Sequence, residues 1–250
     1  MFNIYINYMK YYMKGITKDK CLAMDISTSF ANEMILYCHI PKCSGTNTNE
    51  YLSKKFKDNY KWYIHRILQY DIHKYTDYYK FTIIRDPIER LVSLYFYQTN
   101  NIKIFKERGT LENFQGDNWN IISNLYNKYN INCINSFLDN YPRFFANEVK
   151  PYISNLKHIN ETKNMCEFYI NGYLPQYLFI CDNNFNILVD DIVNIENVES
   201  FMLNKFGIKM NKKKINIHTH TNDNYYKYLS EKNIKDIKEI YKEDYKYFSF

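Results

Sequence analysis

The chain is short of the residues that announce several common sites. Its six cysteines, Cys21, Cys38, Cys43, Cys133, Cys166 and Cys181, include no Cys-x-x-Cys pair, which argues against a zinc site. No Gly-Lys-Ser/Thr follows a four-residue spacer, so there is no Walker A loop. No apolar run is long enough to cross a membrane. Phe2 to Met13 is apolar but is broken by Asn3, Asn7 and Lys10, and it lacks the basic start and small-residue cleavage site of a signal peptide. Internal repeats and low-complexity tracts are also missing. Glycine is scarce, at 6 of 250 residues, while Asn, Lys, Ile and Tyr abound. That balance reads as compositional bias. It blurs local propensities, because Asn enters elements as well as turns.

What is present suffices for one domain. A chain of 250 residues buries a core without disulfide staples. Free, mostly buried thiols are therefore expected, with Cys133 and Cys166 as the one pairing left open. A Cys38–Cys43 bridge would distort the loop between them. The formal charge of +6 suits an anionic ligand, but it is spread out and by itself describes a solvated surface. Residues 1–31 read as an N-terminal extension, in which neither helix nor strand stands out, and 32–250 as the domain.

The central stretch is Tyr37-Cys-His-Ile-Pro-Lys-Cys-Ser-Gly-Thr-Asn47. Leu36 to Ile40 suits a buried strand. Pro41 and Gly45 break it, and Thr46 and Thr48 can cap a helix continued by Glu50, Tyr51, Leu52 and Phe56. Uncompensated amides and the positive helix end would face whatever sits above the loop, and Lys42 adds a full charge. A second unit repeats the plan. The strand Lys80 to Ile84 ends at Arg85-Asp-Pro87, where Asp86 fits an N-cap, Pro87 the first helical position and Glu89 a capping box. Leu91, Leu94 and Tyr95 then share one helical face. Two strand-to-helix units argue for a parallel sheet, with ligand bound beyond the carboxyl ends of its strands.

Elsewhere the expectations are coarser. Lys61 to Ile64 reads as a short strand, and His65 to Tyr75 as a loop entering a helix. Asn118 to Tyr129 and Ile131 to Asn140 suit helices, and Lys150 to Thr162 is loop-rich. Tyr177 to Cys181 and Asn186 to Asp190 read as a strand pair around Asp182-Asn-Asn184. Glu196 to Phe206 looks helical. Lys209 to Asn224 is a polar loop with Lys212, Lys213, Lys214, His218 and His220. Ser230 opens a long amphipathic helix with Ile234, Ile237, Ile240 and Tyr241 on one side.

Ile40-Pro-Lys-Cys-Ser-Gly-Thr-Asn47 resembles the 5′-phosphosulfate loop of the carbohydrate sulfotransferases that use 3′-phosphoadenosine 5′-phosphosulfate (PAPS). Phe81-Thr-Ile-Ile-Arg-Asp-Pro-Ile-Glu-Arg-Leu-Val-Ser-Leu-Tyr95 resembles their 3′-phosphate motif, in the form of the heparan sulfate 2-O-sulfotransferases. Pro175-Gln176, Ile192 to Asn197 and the end from Ile237 to Phe250 echo further stretches of that family. Cys43-Ser44 stands for the usual Thr-Gly, and Asn47 for a second hydroxyl residue. A missing hydroxyl weakens sulfonate contact, and Cys43 is expected to face away from the ligand.

The resemblance implies an α/β fold, a three-layer domain with a central parallel sheet similar to nucleotide kinases, spanning 32–250 as the catalytic domain. It implies PAPS as co-substrate, held by Pro41, Lys42, Cys43, Ser44, Gly45, Thr46, Asn47, Arg85 and Ser93, and a carbohydrate or glycan acceptor. Lys42 would act on the transferring group. His65, lying between the two motifs, is the candidate base, with His73 and Glu50 as rivals and His39 read as structural. Arg85 is read as a phosphate fork, against a simple pairing with Asp86 or Glu89, which is the reading for Arg90. One of Lys212 to Lys214 would touch phosphate or an acidic acceptor. No metal and no nucleic acid are implied. The animal relatives are Golgi-anchored, and with no anchor visible the default compartment here is cytoplasmic. Two alternatives stay open: an ATP-dependent P-loop phosphotransferase, and a degenerate fold that binds nucleotide or glycan without turnover.

Overall fold

The computed structural model describes residues 33–108, 116–154, 156, 157, 170–211 and 228–250. At its centre lies a four-stranded sheet in the order β2-β1-β3-β4, with every neighbouring pair parallel. The strands are β1 (Met34–His39), β2 (Tyr60–Ile64), β3 (Tyr78–Ile84) and β4 (Asp191–Asn194). β1 and β3 are the inner strands. Both are near-continuous apolar runs, as burial on two faces demands, and Ile35, Leu36, Tyr37, Phe81 and Ile83 have no exposed surface. β2 lies at an edge and fully buries only Tyr63.

Helices flank the sheet: α1 (Gly45–Phe56), α2 (Pro87–Glu107), α3 (Gly116–Lys128), α4 (Ile134–Phe144), α5 (Lys150–Ile153), α6 (Tyr177–Ile180), α7 (Val198–Phe206), α8 (Glu231–Ile240) and α9 (Lys242–Tyr247). Phe206 of α7 meets Phe56 of α1 and the strand residues Tyr79 and Phe81, so α1 and α7 cover the same face. A second aromatic cluster joins α2, α3 and α4, where Tyr95 stacks on Phe137 at 5.0 Å and on Tyr126 at 6.0 Å. Leu91, Leu94 and Tyr95 are buried on one face of α2, as their spacing predicts. The architecture is therefore α/β with a central parallel sheet between helices.

Several local expectations change. Tyr177 to Cys181 is not a strand. α6 forms there because the Asp244 carboxylate accepts the amides of Gln176 and Tyr177, both at 2.9 Å, and so caps a helix start from far along the chain. Only a single antiparallel bridge, Cys181 to Ile187, remains of the expected pair, and the strand proper begins at Asp191. The stretch after His65 makes two 3-10 turns, Leu68–Tyr70 and Ile72–Lys74, instead of entering a helix. Lys150 to Ile153 is a short helix within the expected loop. The C-terminal helix is capped by Ser230 as expected but breaks at Tyr241 into α8 and α9. Cys133 is a free, exposed thiol, while Cys38, Cys43 and Cys181 are free and buried. Cys21, Cys166, the 1–31 extension and Lys212 to His220 lie outside the described residues.

Candidate active site

Because the strands run parallel, β1 and β3 deliver their exits to one edge. At the first exit the backbone takes an uncommon path. Lys42 and Ser44 both adopt left-handed conformations, with φ of 67° and 59°. Such conformations strain side-chain-bearing residues by ~1–3 kcal/mol each. Alternation of this kind curves a backbone so that its N–H groups face inward, which makes an anion-binding concavity. Ser44, not Thr46 or Thr48, is the N-cap of α1, and no side chain caps that end. The two threonines fall inside the helix instead, and Thr48 is wholly buried.

The loop is held from beneath. Tyr37 donates to the Cys43 carbonyl at 3.1 Å. The Cys43 thiol faces inward, away from any guest above the loop, and donates to Gln176 Oε1 at 3.4 Å. Burial pushes that thiol up to about 12, so it stays protonated and acts as a donor, not a nucleophile. The His39 ring lies directly under the start of α1, and a Cβ on Gly45 would sit 1.8 Å from His39 Nε2. Both partners are buried, so neither can retreat into solvent. Gly45→Ala is expected to destabilise the fold by ~1–3 kcal/mol, the usual range for overpacking, as read from denaturant melts; an unchanged midpoint would refute this contact.

At the second exit the Gln176 carboxamide grips Arg85 on both sides. Its Oε1 accepts the Arg85 amide at 3.0 Å and its Nε2 donates to the Arg85 carbonyl at 2.7 Å. Since the same Oε1 also receives the Cys43 thiol, one wholly buried side chain ties the two strand exits together. Asp86 caps α2 by accepting from Ile88 and Glu89. The expected capping box is only half formed, because the Glu89 carboxylate turns to Arg85 Nε at 3.3 Å. The two helix starts thus differ. The amides of Ile88 and Glu89 are already satisfied at α2, so an anion there is left to side chains; α1 has no such internal competitor.

Glu89, Ser93 and Tyr97 follow one another at four-residue spacing and form a row along α2, about 12 Å from first to last. Arg85 meets the row at Glu89, and Lys42 meets it at Tyr97, its Nζ 4.0 Å from the ring centre. Ser93, half-buried, lies between them. The proximity is also electrical. Burial, then the Arg85 charge, bring the Lys42 ammonium down to about 8. Lys42 and Arg85 therefore reach the same row of α2 from separate strand exits, with Ser93 between their points of contact.

His65 leaves β2 at the same edge in a left-handed conformation, with φ of 53°. Its amide donates to the His39 carbonyl at 3.0 Å, and its own carbonyl accepts from Asn171 at 3.2 Å. The two imidazoles stand 4.6 Å apart. Burial, His39 and the Lys42 charge hold His65 well below its ordinary value, so it is neutral near pH 7, while the same surroundings weaken it as a proton acceptor. The rivals stand elsewhere. His73 is exposed in a turn leading to the amino end of β3, and Glu50 pairs with Lys54 at 2.5 Å on the outer side of α1.

Arg90 corrects its expectation. It does not pair with Asp86 or Glu89; it is 1% exposed and donates to the carbonyls of Gly172 at 3.1 Å and Leu174 at 2.5 Å. Its charge also acts on Asp244. Sequence reasoning missed Asp244, Tyr97 and the bracketing role of Gln176, which it noted only as part of a stretch that echoes the family. Asp244 has one visible signal, its place in the Tyr-x-x-Asp stretch Tyr241 to Asp244 of the closing helix; Tyr97 has none beyond its distance from Glu89.

A parallel α/β sheet that presents paired cations and an uncapped helix start at its carboxyl edge belongs to the class of anion- and nucleotide-binding transferase folds. A model of the sulfotransferase family matches residues 29–250, and the chain belongs to that family. No curated protein and no solved structure gives a significant match. No helix among the described residues is long and apolar enough to cross a membrane.

Proposed function

We propose that the chain transfers a sulfuryl group from PAPS to a hydroxyl of a carbohydrate. The observation that carries this reading is the placement of Lys42 and Arg85, two cations from separate strand exits that both reach one row of α2. A donor with phosphate at one end and phosphosulfate at the other needs that arrangement. The phosphosulfate would lie over the loop from Pro41 to Asn47, against the start of α1. The 3′-phosphate would fall to Arg85, freed in part from Glu89, with the Ser93 hydroxyl beside it.

In the reaction the acceptor oxygen forms a bond to sulfur as the bond from sulfur to the 5′-phosphate oxygen breaks. His65 takes the hydroxyl proton, and adenosine 3′,5′-bisphosphate leaves. Charge grows on the bridging oxygen, where the Lys42 ammonium stabilises it. The rest is positioning. A carbohydrate acceptor is favoured by the resemblance of both motifs to carbohydrate enzymes.

Calorimetry with adenosine 3′,5′-bisphosphate tests the donor. Arg85→Ala is expected to weaken binding at least tenfold, about 1.4 kcal/mol. Equal affinity of wild type and variant would remove Arg85 from the site. Labelled-sulfate transfer to a glycan panel in the presence of chelator separates the alternatives. An ATP-dependent phosphotransferase would need Mg²⁺, and a binding module would hold the bisphosphate yet form no product.

A further inference from the structure

The row along α2 ends on a residue that the donor reading does not use. Tyr97 presents its ring to the Lys42 ammonium at 4.0 Å. The ring is fixed from its other surroundings, since Trp119 of α3 meets it edge-on at 5.8 Å and is itself 4% exposed. The backbone behind it is tied too, with Asn101 donating to the Tyr97 carbonyl at 2.7 Å. Lys42 is the opposite case, a long flexible side chain on a strained left-handed residue.

The other groups that act on Lys42 offer no comparable hold. Arg85 repels it from the exit of β3. His39 at the end of β1 and His65 after β2 are both driven toward the neutral form. The Cys43 thiol stays protonated, and the carboxylate on this row, Glu89, already engages Arg85. The ring face of Tyr97, with its negative quadrupole, is the attractive surface that a desolvated ammonium finds here.

We propose that Tyr97 is a positioning residue for Lys42, its ring face holding the ammonium ready for the incoming sulfuryl donor. The hold comes from the aromatic face and not from the hydroxyl. The catalytic consequence rests on the sulfotransferase reading above; the Tyr97–Lys42 coupling itself does not.

The chemistry fixes a pH signature. His39 stands at about 3, His65 is held well below its ordinary value by burial, Cys43 titrates only near 12, and burial raises the Tyr97 phenol. Lys42, at about 8, is thus the member of this set that changes charge between pH 7 and 9. A ring that favours the ammonium raises its pKa, so losing the ring lowers it.

The experiment compares wild type, Tyr97→Phe and Tyr97→Leu, with Tyr97→Met in place of Leu if the latter does not fold. Lys42 is titrated in the ligand-free protein by NMR of labelled lysine side chains, its signal assigned with Lys42→Arg. Loss of the ring is expected to move the Lys42 titration to lower pH, while Phe leaves it in place. In turnover, Leu should lower kcat about tenfold with a smaller change in donor KM and shift the alkaline limb to lower pH. Phe should restore both. Identical Lys42 titrations in all variants, or losses in Phe equal to those in Leu, overturn the proposal. If the titrations shift as expected but wild type forms no sulfated product, the donor reading fails and the Tyr97–Lys42 hold stands.

Discussion

Replacing Lys42 with alanine is expected to lower sulfuryl transfer by about 10²–10³, the usual cost of removing one preorganised donor from a developing oxyanion. Binding of adenosine 3′,5′-bisphosphate should suffer far less. The reason lies in where charge appears. On the proposed reading, the donor's ground-state charge would be spread over phosphate and sulfate oxygens, shared among the start of α1, Arg85 and Lys42. As the bond from sulfur breaks, charge would collect on one bridging oxygen, which a full ammonium charge stabilises more strongly than the partial charges of backbone amides. Burial strengthens the effect, because the burial that depresses Lys42 to about 8 also limits screening by water. Lys42→Arg should recover little, since a planar guanidinium cannot replace a compact point charge in a tight loop. Labelled-sulfate turnover and calorimetry on the same preparations check this. Product formation that survives Lys42→Ala would remove Lys42 from the chemistry, and equal loss of binding and turnover would make it a ground-state contact.

The strand exits were legible in the sequence because local chemistry settles them. An apolar run stopped by Pro41, and another stopped by Asp86-Pro87, leave little choice of element. The end of α1 was misread at Thr46 and Thr48 because threonine favours caps, whereas the strained loop shifts the boundary to Ser44. The parts that hold the site together were not legible. Gln176 reaches Cys43 across 133 positions and Arg85 across 91, and no periodicity reports such contacts. Nor does local pattern foresee α6. Tyr177-Leu-Phe-Ile-Cys181 carries strand propensity, and it turns helical because a carboxylate 67 residues downstream satisfies its first amides. The two strand exits are written locally, and the scaffold that joins them is written in tertiary contacts.

That scaffold makes Asp244→Ala the most destabilising substitution expected here. Asp244 has no exposed surface, and each of its oxygens accepts a backbone amide, from Gln176 and Tyr177. The buried Arg90 guanidinium acts on it, while also holding the carbonyls of Gly172 and Leu174. Alanine would strand two buried amides and leave that guanidinium without its carboxylate, a loss of about 3–5 kcal/mol. Asp244→Asn keeps an acceptor and should cost less. The pH dependence adds a sharper check. Burial outweighs Arg90 and lifts the Asp244 carboxyl from 3.8 to about 6. The folded chain therefore binds a proton between those values that the unfolded chain releases. Wild type gains stability from this group as pH falls through about 6, and the gain is complete below the unfolded value. Alanine lacks that titration, so the gap between wild type and Asp244→Ala in urea melts should widen from pH 7.5 to pH 5. A gap that narrows on acidification would mean that Arg90 dominates and holds the carboxylate charged. The effect also reaches the two strand exits, because the amide of Gln176 rests on Asp244 while its side chain joins Cys43 to Arg85. Folded Asp244→Ala protein should consequently bind adenosine 3′,5′-bisphosphate more weakly, although Asp244 itself never meets the ligand.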